Sequence, residues 1–597
     1  MSHNKVHSIS IIDCDVDKIQ TYLDPSSTPI LNISEPEEVT IQSNIEGISN
    51  KQKGEIQSKA LRTINEFGDI KINNETVKDI LSFGNSTVFF FHRFKILHLL
   101  TKHLIKVEEV NYQLDKFESI NLYSSDSRLL KHFENNDKVD LHFFKPDKEK
   151  INLKSFLSFL FLMTFRILKG FSQYKFALKV PFALVDRPTD YVSTNGKLKN
   201  PFFENLLKKC SFPILLISEI PIYGFRGKNC FKSQKKYHVH NEKKDVIFGE
   251  FILLRAFLLH FKKWKQNRKE LHQKLVNSFN NQWEANNKLI WEILVGLKST
   301  TDLYILKEIA YTCFFEKSNV KTLVASDENS LSHRTIINAA KLNGIKTYGV
   351  QHGAIGKGSA NYMYHSSDFN YSPVPDISFV WGNYWKNILE EYGNYPSKSI
   401  KVVGQLRTDE INDLLAKKIQ QTSSRKRVLF ATQPMPDEEW REKAMMDVLK
   451  LAANRPETDF IIRPHPRETD RDYFTSRIDK FELSNISIDG KTDLYLQLAN
   501  VDLLITCYST VALEALYFKI PVLLIDYYEI DILSFVKNKL APLSRSYSEI
   551  ESTYSILLSQ SFNSSAVENY IEEYAYKIDG NVAERILKEI NLNNPTL

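Results

Sequence analysis

The sequence predicts an α/β protein with two Rossmann-like domains that face each other across a cleft. Short apolar runs that end in polar residues alternate with longer segments of helical periodicity, which is typical of a mainly parallel sheet covered by helices on both faces. The chain has 597 residues, 42% of them hydrophobic and 25% charged. This usage excludes collagen-like, low-complexity and globally disordered classes, and at about 100–200 residues per domain the length accommodates two or more domains.

The N-terminal domain is predicted to cover residues 1–375 and to be enlarged by helical insertions. A helical pattern runs from Phe89 to about Asp115, and another long helical region runs from about Ile247 to Glu316. The predicted strands of this half are Ile120–Ser125, Pro213–Ile220, Thr322–Ser326 and Thr347–Val350.

The C-terminal domain is predicted to cover residues 376–597, with the boundary in the Gly- and Pro-containing segment Asp376–Asp409. The predicted strands of this half are Val428–Thr432, Phe460–Arg463, Ile486–Asp489, Asp502–Thr506 and Pro521–Asp526. In open parallel sheets ligands bind beyond the carboxyl ends of the strands. The residues directly after each strand are therefore the candidates for a site.

The charge balance and the cysteines exclude several classes of protein. A net charge of +6 is too small over this length to imply wholesale nucleic-acid binding. The five cysteines contain no C-x-x-C pair, so neither a disulfide framework nor a thiolate zinc site is indicated. The start of the chain has no secretory signal, and we expect a cytoplasmic protein.

Two segments suit contact with a membrane surface. The most apolar stretch, Phe156–Phe165, is shorter than the roughly 20 residues that span a bilayer. Together with the following residues to Lys169, and with the basic amphipathic region Arg226–Lys274, it would suit docking on anionic lipid at the inner face of the cell membrane. The alternative is that both segments are core helices with solvated basic faces.

The first candidate motif is Gln351-His352-Gly353, which directly follows a predicted strand. A histidine in this position titrates near neutrality and can act as a base, an acid or a hydrogen-bond donor to phosphate. The glycine lets a ligand approach the backbone. The alternative is a loop histidine satisfied by neighbouring backbone groups.

The second motif, Arg463-Pro464-His465-Pro466-Arg467, also follows a strand. Two prolines fix the backbone around one imidazole, and the two arginines add permanent charge suited to phosphate oxygens. The alternative is that proline terminates the strand and the arginines are ordinary loop residues.

The third motif lies where a strand ends in hydroxyl residues and a helix begins. Ser509 or Thr510 is expected to cap this helix, and the N–H groups behind it form a site for phosphate. Glu514, one turn further on, could accept hydrogen bonds from a ribose. Capping alone would also explain the hydroxyl groups.

An acidic pair follows the strand Thr322–Ser326. Asp327 or Glu328 could face the cleft and deprotonate an acceptor hydroxyl. The alternative is that the aspartate caps the helix that begins near Ser330.

Several catalytic motifs are absent from the sequence: the P-loop, the dinucleotide fingerprint G-x-G-x-x-G, H-E-x-x-H and G-x-S-x-G. Kinase, dehydrogenase, zinc-protease and serine-hydrolase interpretations lose their usual support. The remaining groups suit a nucleotide-linked phosphate bound without a metal, so we expect neither a metal nor a cofactor.

The order TLVASDEN, TYGVQHG, FVWG, KVVGQLRTD, RPHP, DLLITCYSTVALEAL and PVLLID resembles metal-independent GT-B glycosyltransferases of bacterial surface and capsular polysaccharide synthesis. It is also similar to CDP-glycerol glycerophosphotransferases of teichoic acid synthesis and to CMP-sugar (Kdo and sialic acid) transferases. The resemblance covers roughly Thr322–Asp526. It implies that an H-G motif, His352-Gly353, faces an H-P motif, His465-Pro466, across the cleft.

The resemblance also implies a division of roles between the two domains. The N-terminal domain would select the acceptor and supply the base, for which the candidates are His352, Asp327 and Glu328. The C-terminal domain would bind the donor. The donor-binding candidates are Arg463, His465, Ser509, Thr510, Glu514, Gly353, Gln433 and Arg407.

The expected activity is transfer of a sugar or glycerol phosphate from a nucleotide-linked donor, CMP- or CDP-linked among the options, to a surface glycan or lipid-linked acceptor. No nucleic-acid partner is expected. Two alternatives stay open. One is a sugar-nucleotide isomerase of the UDP-GlcNAc 2-epimerase type, which needs no acceptor, and the other is a non-catalytic polysaccharide- or nucleic-acid-binding protein.

Overall fold

The computed structural model describes most of the chain. The described residues are 8–13, 29–33, 45, 47–83, 86–145, 153–186, 191–194, 197–200, 203–220, 245–280, 282–359, 361–371, 374–417, 425–433, 438–465, 468, 470–527, 535–559 and 564–593. Of the predicted features, Pro466, Arg467 and residues 226–244 of the basic region lie outside them.

The strands are β1 Ser8–Asp13, β2 Ile30–Asn32, β3 Lys71–Ile72, β4 Glu75–Thr76, β5 Ser82–Phe83, β6 Ser86–Thr87, β7 Ser119–Ser124, β8 Val139–Phe143, β9 Phe182–Asp186, β10 Val192–Thr194, β11 Lys197–Lys199, β12 Ile214–Ser218, β13 Val246–Phe248, β14 Thr322–Ala325, β15 Lys346–Val350, β16 Ile377–Val380, β17 Ile400–Val402, β18 Arg427–Ala431, β19 Asp459–Arg463, β20 Ile486–Ile488, β21 Leu503–Thr506, β22 Val522–Ile525 and β23 Leu543–Ser544. Each strand predicted from the sequence is present among them.

The helices are α1 Asn50–Asp69, α2 Val77–Ile80, α3 Val88–Leu114, α4 Ser127–His132, α5 Leu153–Ala177, α6 Glu204–Lys209, α7 Gly249–Asn277, α8 Ala285–Gly296, α9 Lys298–Lys317, α10 Leu331–Leu342, α11 Asn383–Glu391, α12 Ile411–Ala416, α13 Glu438–Ala453, α14 Asp472–Phe481, α15 Leu494–Leu498, α16 Val511–Tyr517, α17 Tyr547–Ser559, α18 Ser564–Tyr574 and α19 Val582–Asn593. Among the described residues, no helix is both long and apolar enough to cross a membrane.

Most strands form three parallel sheets, and the pairs β3-β4, β5-β6 and β10-β11 are two-stranded antiparallel sheets. An N-terminal sheet has the order β2-β1-β7-β8, a central sheet has the order β13-β12-β9-β14-β15-β16-β17, and a C-terminal sheet has the order β20-β19-β18-β21-β22-β23. The central and C-terminal sheets are the two Rossmann-like units that the sequence predicts. The N-terminal sheet is additional, because β7, the one predicted strand of this region, pairs with β1 more than 100 residues earlier, and periodicity gives no sign of such distant pairing.

The central sheet extends past the predicted domain boundary at residue 376. Tyr348 of β15 pairs with Ile377 of β16, and Ser378 pairs with Ile400 of β17. These two strands therefore belong to the first half of the molecule, and the chain passes to the C-terminal sheet after Val402. This crossing begins within the segment Asp376–Asp409, in which the boundary is predicted.

The last helix returns to the central sheet. Val582, Ala583, Ile586 and Ile590 of α19 are buried in the same cluster as Phe182 of β9. Each large sheet is packed on both of its faces: the C-terminal sheet has one cluster around Leu429 and Leu504 and another around Val428 and Leu503, as expected for alternating side chains in a doubly covered sheet.

Candidate functional site

A cavity of about 280 Å³ lies where the carboxyl ends of the central sheet face the C-terminal sheet. The residues that line this cleft cavity are Val350, Gln351, His352, Gly353, Ala354, Trp381, Gln405, Leu406, Arg407, Thr510, Leu513 and Glu514. The first nine lie at or after the ends of β15, β16 and β17 of the central sheet, and the last three follow β21. The position agrees with the rule that ligands of open parallel sheets bind beyond the carboxyl strand ends.

His352 lies in the cavity wall with Asp327 behind it. The imidazole Nδ1 lies 3.8 Å from Asp327 Oδ1, and the histidine side chain is 31% exposed, so a ligand can reach it. Asp327 also accepts a 3.0 Å hydrogen bond from the Ser330 N–H, at the start of α10. The helix cap is Ser330, whose Oγ accepts from the His333 N–H at 3.2 Å, so the alternative that the aspartate is the cap is not what the structure has. The carboxylate lies just before the helix and within ion-pair distance of a protonated imidazole.

Gln351 and Trp381 fix the loop that carries His352. The Trp381 backbone N–H donates to Gln351 Oε1 at 2.9 Å, and the indole Nε1 donates to the Gln351 carbonyl at 3.0 Å. Gln351 Nε2 in turn donates to the Gly353 carbonyl at 2.8 Å. A Cβ on Gly353 would meet nothing within 4 Å, so the backbone here borders open space. The motif FVWG contains Trp381, and its position directly after β16 is the signal that could have marked it.

Glu328 lies behind the strand rather than in the cavity. It is 4% exposed and accepts hydrogen bonds from Ser378 Oγ at 2.9 Å and Tyr395 Oη at 3.3 Å. Burial raises the pKa of this carboxyl to about 7, because a low-dielectric environment disfavours the charged form. A Cβ on Gly349 would lie 1.7 Å from Glu328 Oε2. The prediction that Glu328 faces the cleft is corrected: its side chain occupies the space that a glycine in β15 leaves open.

Arg407 and Glu514 form the opposite wall of the cavity. Arg407 Nη1 lies 3.5 Å from Glu514 Oε1, and Nη2 donates to Asp493 Oδ2 at 3.3 Å. The guanidinium lies over the Tyr495 ring, 4.1 Å from its centroid. Burial opposes the charge of Arg407, but Glu514 and Asp493 outweigh it and hold its pKa above the ordinary value. Burial raises the pKa of Glu514, and Arg407 opposes that rise.

The hydroxyl groups of Ser509 and Thr510 have different surroundings. Ser509 Oγ accepts the Val511 N–H at 3.3 Å, whereas Thr510, at the cap position of α16, makes no side-chain capping bond and lines the cavity. Because α16 has seven residues, its dipole is small. Any phosphate binding here depends mainly on side chains.

Four predicted donor-binding residues lie outside the cavity wall: Ser509, and the three at the ends of β18 and β19. Arg463 Nη1 donates to the Thr492 carbonyl at 2.7 Å and to Gln497. The backbone N–H of His465 donates to Glu468 Oε2 at 3.0 Å. Gln433, 6% exposed, accepts from Thr506 Oγ1 at 3.2 Å.

The predicted convergence of two imidazoles on one cavity stays a prediction. His352 lines the cleft cavity, whereas His465 follows β19, two strands away from β21 in the C-terminal sheet. Arg463 ends β19, His465 follows it, and Gln433 follows β18. All three therefore lie at the carboxyl edge of the C-terminal sheet.

Within the described ranges, no cluster of three or more His, Cys, Asp or Glu side chains could hold a metal ion. The cavity is lined by the partly exposed imidazole of His352, the guanidinium of Arg407, the Thr510 side chain at the start of α16 and the indole ring of Trp381. These groups can move a proton and neutralise an anion.

Fold and site together define a two-domain α/β protein with the GT-B arrangement, two Rossmann-like sheets with a site between their carboxyl edges. No family model matches the sequence, and no curated protein matches it. Among solved structures, a UDP-GlcNAc 2-epimerase from Neisseria meningitidis bound to UDP-GlcNAc is similar over 70% of this chain and 100% of its own, at 14% identity and a TM-score of 0.43.

Two further solved structures have comparable values. The UDP-GlcNAc 2-epimerase from Methanocaldococcus jannaschii covers 69% of this chain and 99% of its own, at 13% identity and a TM-score of 0.41. The wall teichoic acid polymerase TagF covers 74% and 98%, at 12% identity and a TM-score of 0.39. Likenesses at this level do not define an activity for this chain.

Proposed function

We propose that the protein is a metal-independent transferase that moves a sugar or glycerol phosphate from a nucleotide-linked donor to a surface glycan or lipid-linked acceptor. One observation carries the proposal: a single cavity has a carboxylate-backed imidazole on one wall and a guanidinium on the other. Transfer from a nucleotide needs a base at the acceptor and a positive charge at the leaving phosphate, and these groups supply both.

His352 is the base in this proposal. Its exposed imidazole takes the proton of the acceptor hydroxyl, and Asp327, 3.8 Å away, stabilises the imidazolium that results. Asp327 therefore acts through His352 as a positioning residue. Glu328 has no direct part, since its carboxyl is enclosed behind β15 by Ser378 and Tyr395.

Arg407 binds the donor phosphate, assisted by the Thr510 hydroxyl. A guanidinium has five N–H donors, more than the contacts with Asp493 and Glu514 use, so a phosphate oxygen can be added without breaking either. The Trp381 ring offers a flat apolar surface for a base or a sugar. Arg463, His465, Gln433 and Ser509 extend the donor site along the carboxyl edge of the C-terminal sheet.

Donor binding is tested by the melting temperature of the protein with CMP-, CDP-, UDP- and GDP-linked donors in the presence of EDTA. A bound donor stabilises the folded state by about 2.7 kcal/mol at one hundred times its Kd. Arg407→Ala should abolish the stabilisation. Arg425→Ala is the matched control, because Arg425 has its own ion pair with Asp459 on the same half of the molecule and should leave the response unchanged.

The reaction class is tested by product analysis with the donor that binds. Transfer that His352→Ala abolishes, with donor binding retained, supports the proposal. Conversion of the nucleotide sugar without any acceptor would instead assign a sugar-nucleotide 2-epimerase, and binding of none of the four donors would reject the nucleotide site altogether.

A further inference from the structure

We infer that helices α5 and α7 form a docking surface for the anionic face of a lipid bilayer. Fourteen of the 22 exposed large hydrophobic side chains of the described residues lie on these two helices. The eight on α5 are Phe156, Leu157, Leu160, Phe161, Phe165, Leu168, Phe171 and Phe176, and the six on α7 are Leu254, Phe257, Leu258, Leu259, Phe261 and Val276. Contiguous apolar patches of this kind mark interaction sites.

The exposed side chains of α5 occupy the side opposite to its packed side. Phe159 and Leu162 are buried, whereas Leu157, Phe161 and Leu168, at spacings of four and seven residues, are 54%, 73% and 66% exposed. A helix that is apolar on both sides belongs in an apolar environment on both sides. In the part of the chain that the structure describes, only one of the two sides is covered.

The two helices lie against each other, so their exposed residues belong to one surface. A Cβ on Gly170 of α5 would lie 2.5 Å from Phe251 Cβ of α7, which shows how close the backbones are. Arg166 of α5 donates to Glu250 of α7 at 3.0 Å. We call this pair of helices the α5–α7 surface.

The charge of the α5–α7 surface selects its partner. The two helices contain eleven lysines and arginines and two glutamates, and Lys262 and Lys263 are exposed next to Phe261. A second copy of the chain would bring two strongly basic surfaces together. An anionic bilayer supplies both the opposite charge and an apolar interior that accepts leucine and phenylalanine side chains.

The α5–α7 surface lies at the same edge of the central sheet as the cleft cavity. Arg166 donates to the carbonyl and Oγ of Ser218, the last residue of β12, and Val350 of the cavity ends β15 in the same parallel sheet. The thirteen residues of α5 before Arg166 form about 20 Å of helix, at 1.5 Å per residue. Docking through α5 would bring the carboxyl end of β12 near the lipid, at the sheet edge on which the cavity also lies.

The test is sedimentation of the full chain with phosphatidylcholine vesicles, with and without phosphatidylglycerol, at low and high salt. We expect binding to the anionic vesicles alone, weakened at 1 M salt, where the screening length falls to about 3 Å. Phe161→Glu with Leu168→Glu, and separately Lys262→Glu with Lys263→Glu, should each lower the partition coefficient about tenfold or more. Both pairs are exposed, so the fold should persist.

Matched controls change the same residue types elsewhere. Ile556→Glu replaces a side chain that is 48% exposed on α17, and Lys59→Glu with Lys480→Glu removes two exposed charges on α1 and α14. Neither control should alter vesicle binding.

Equal binding of controls and variants, or no binding to anionic vesicles, would overturn the inference. A dimer in solution that Phe161→Glu with Leu168→Glu dissociates, without vesicle binding, would assign the α5–α7 surface to a second copy instead. The assay contains no nucleotide, so its failure would leave the proposed transferase activity untouched.

Discussion

Replacing Glu328 by glutamine should make the stability of the protein less dependent on pH. Burial raises the pKa of this carboxyl from 4.5 to about 7. A folded-state pKa above the unfolded value means that the folded protein holds the proton more tightly, so the stability that this group contributes is complete below about pH 4.5. It is lost as the pH rises to about 7, and it stays lost above that value.

The expected size follows from the same pKa values. One pKa unit corresponds to about 1.4 kcal/mol, so a rise from 4.5 to about 7 means that ionising Glu328 costs the fold about 3 kcal/mol. Glutamine is nearly isosteric and uncharged. Its oxygen can accept from Ser378 or Tyr395, the two donors that the carboxylate has now.

The assay is urea unfolding of the wild type and Glu328→Gln at several pH values between 4.5 and 8. The difference in free energy of unfolding, variant minus wild type, should rise by about 3 kcal/mol across this range, because ionisation penalises only the wild type. Other titrating groups cancel in this difference. Glu439→Gln, an exposed control on α13, should give a flat difference. A flat difference for Glu328→Gln as well would refute the account of this carboxyl.

Three further predictions concern the cavity and its support. Gly349→Ala should lower the free energy of unfolding by about 2 kcal/mol or more, measured by urea unfolding, because its Cβ would lie 1.7 Å from the Glu328 carboxylate; an unchanged midpoint would contradict this packing. Asp327→Asn should lower kcat of the proposed transfer about tenfold or more with little change in KM, because the imidazolium of His352 loses its counter-charge; a change in KM alone would place Asp327 in binding instead. Trp381→Ala should weaken donor binding about tenfold in titrations, since stacking on an aromatic ring is worth about 1–3 kcal/mol per base, and equal affinity would exclude the ring from the site.

The sequence predicts the strands well and the direction of side chains less well. Every predicted strand is present because a fully buried parallel strand is a continuous apolar run, as in Thr322–Ala325 and Val522–Ile525. Residues after a strand can thereby be placed at the carboxyl edge. Periodicity gives no information on which way they then turn. His352 and His465 each lie two residues after a strand but have different surroundings.

The N-terminal sheet and the sheet to which β16 and β17 belong were beyond sequence analysis for a related reason. β1 and β7 pair across more than 100 residues, and the two strands that extend the central sheet past residue 376 are short, Ile377–Val380 and Ile400–Val402. Short strands resemble loops when glycine and proline surround them. The sheet to which a short strand belongs depends on the strand with which it pairs. That pairing depends on the whole fold and not on the local sequence.

The two walls of the cavity are built in different ways, which bears on how each would act. His352 lies on a loop fixed to β16 by a backbone hydrogen bond from the Gln351 N–H to the Phe379 carbonyl and by two bonds between Gln351 and Trp381 that each join a side chain to a backbone group. Its position therefore follows from the central sheet. Arg407 is fixed by its side-chain contacts: two carboxylates and the Tyr495 ring hold the guanidinium plane. Because the Arg407 side chain is already oriented before a ligand binds, it loses little conformational entropy on binding. Its two acidic neighbours offset its charge, so an added phosphate is held mainly by directed hydrogen bonds, which favour a donor of fixed geometry over anions in general.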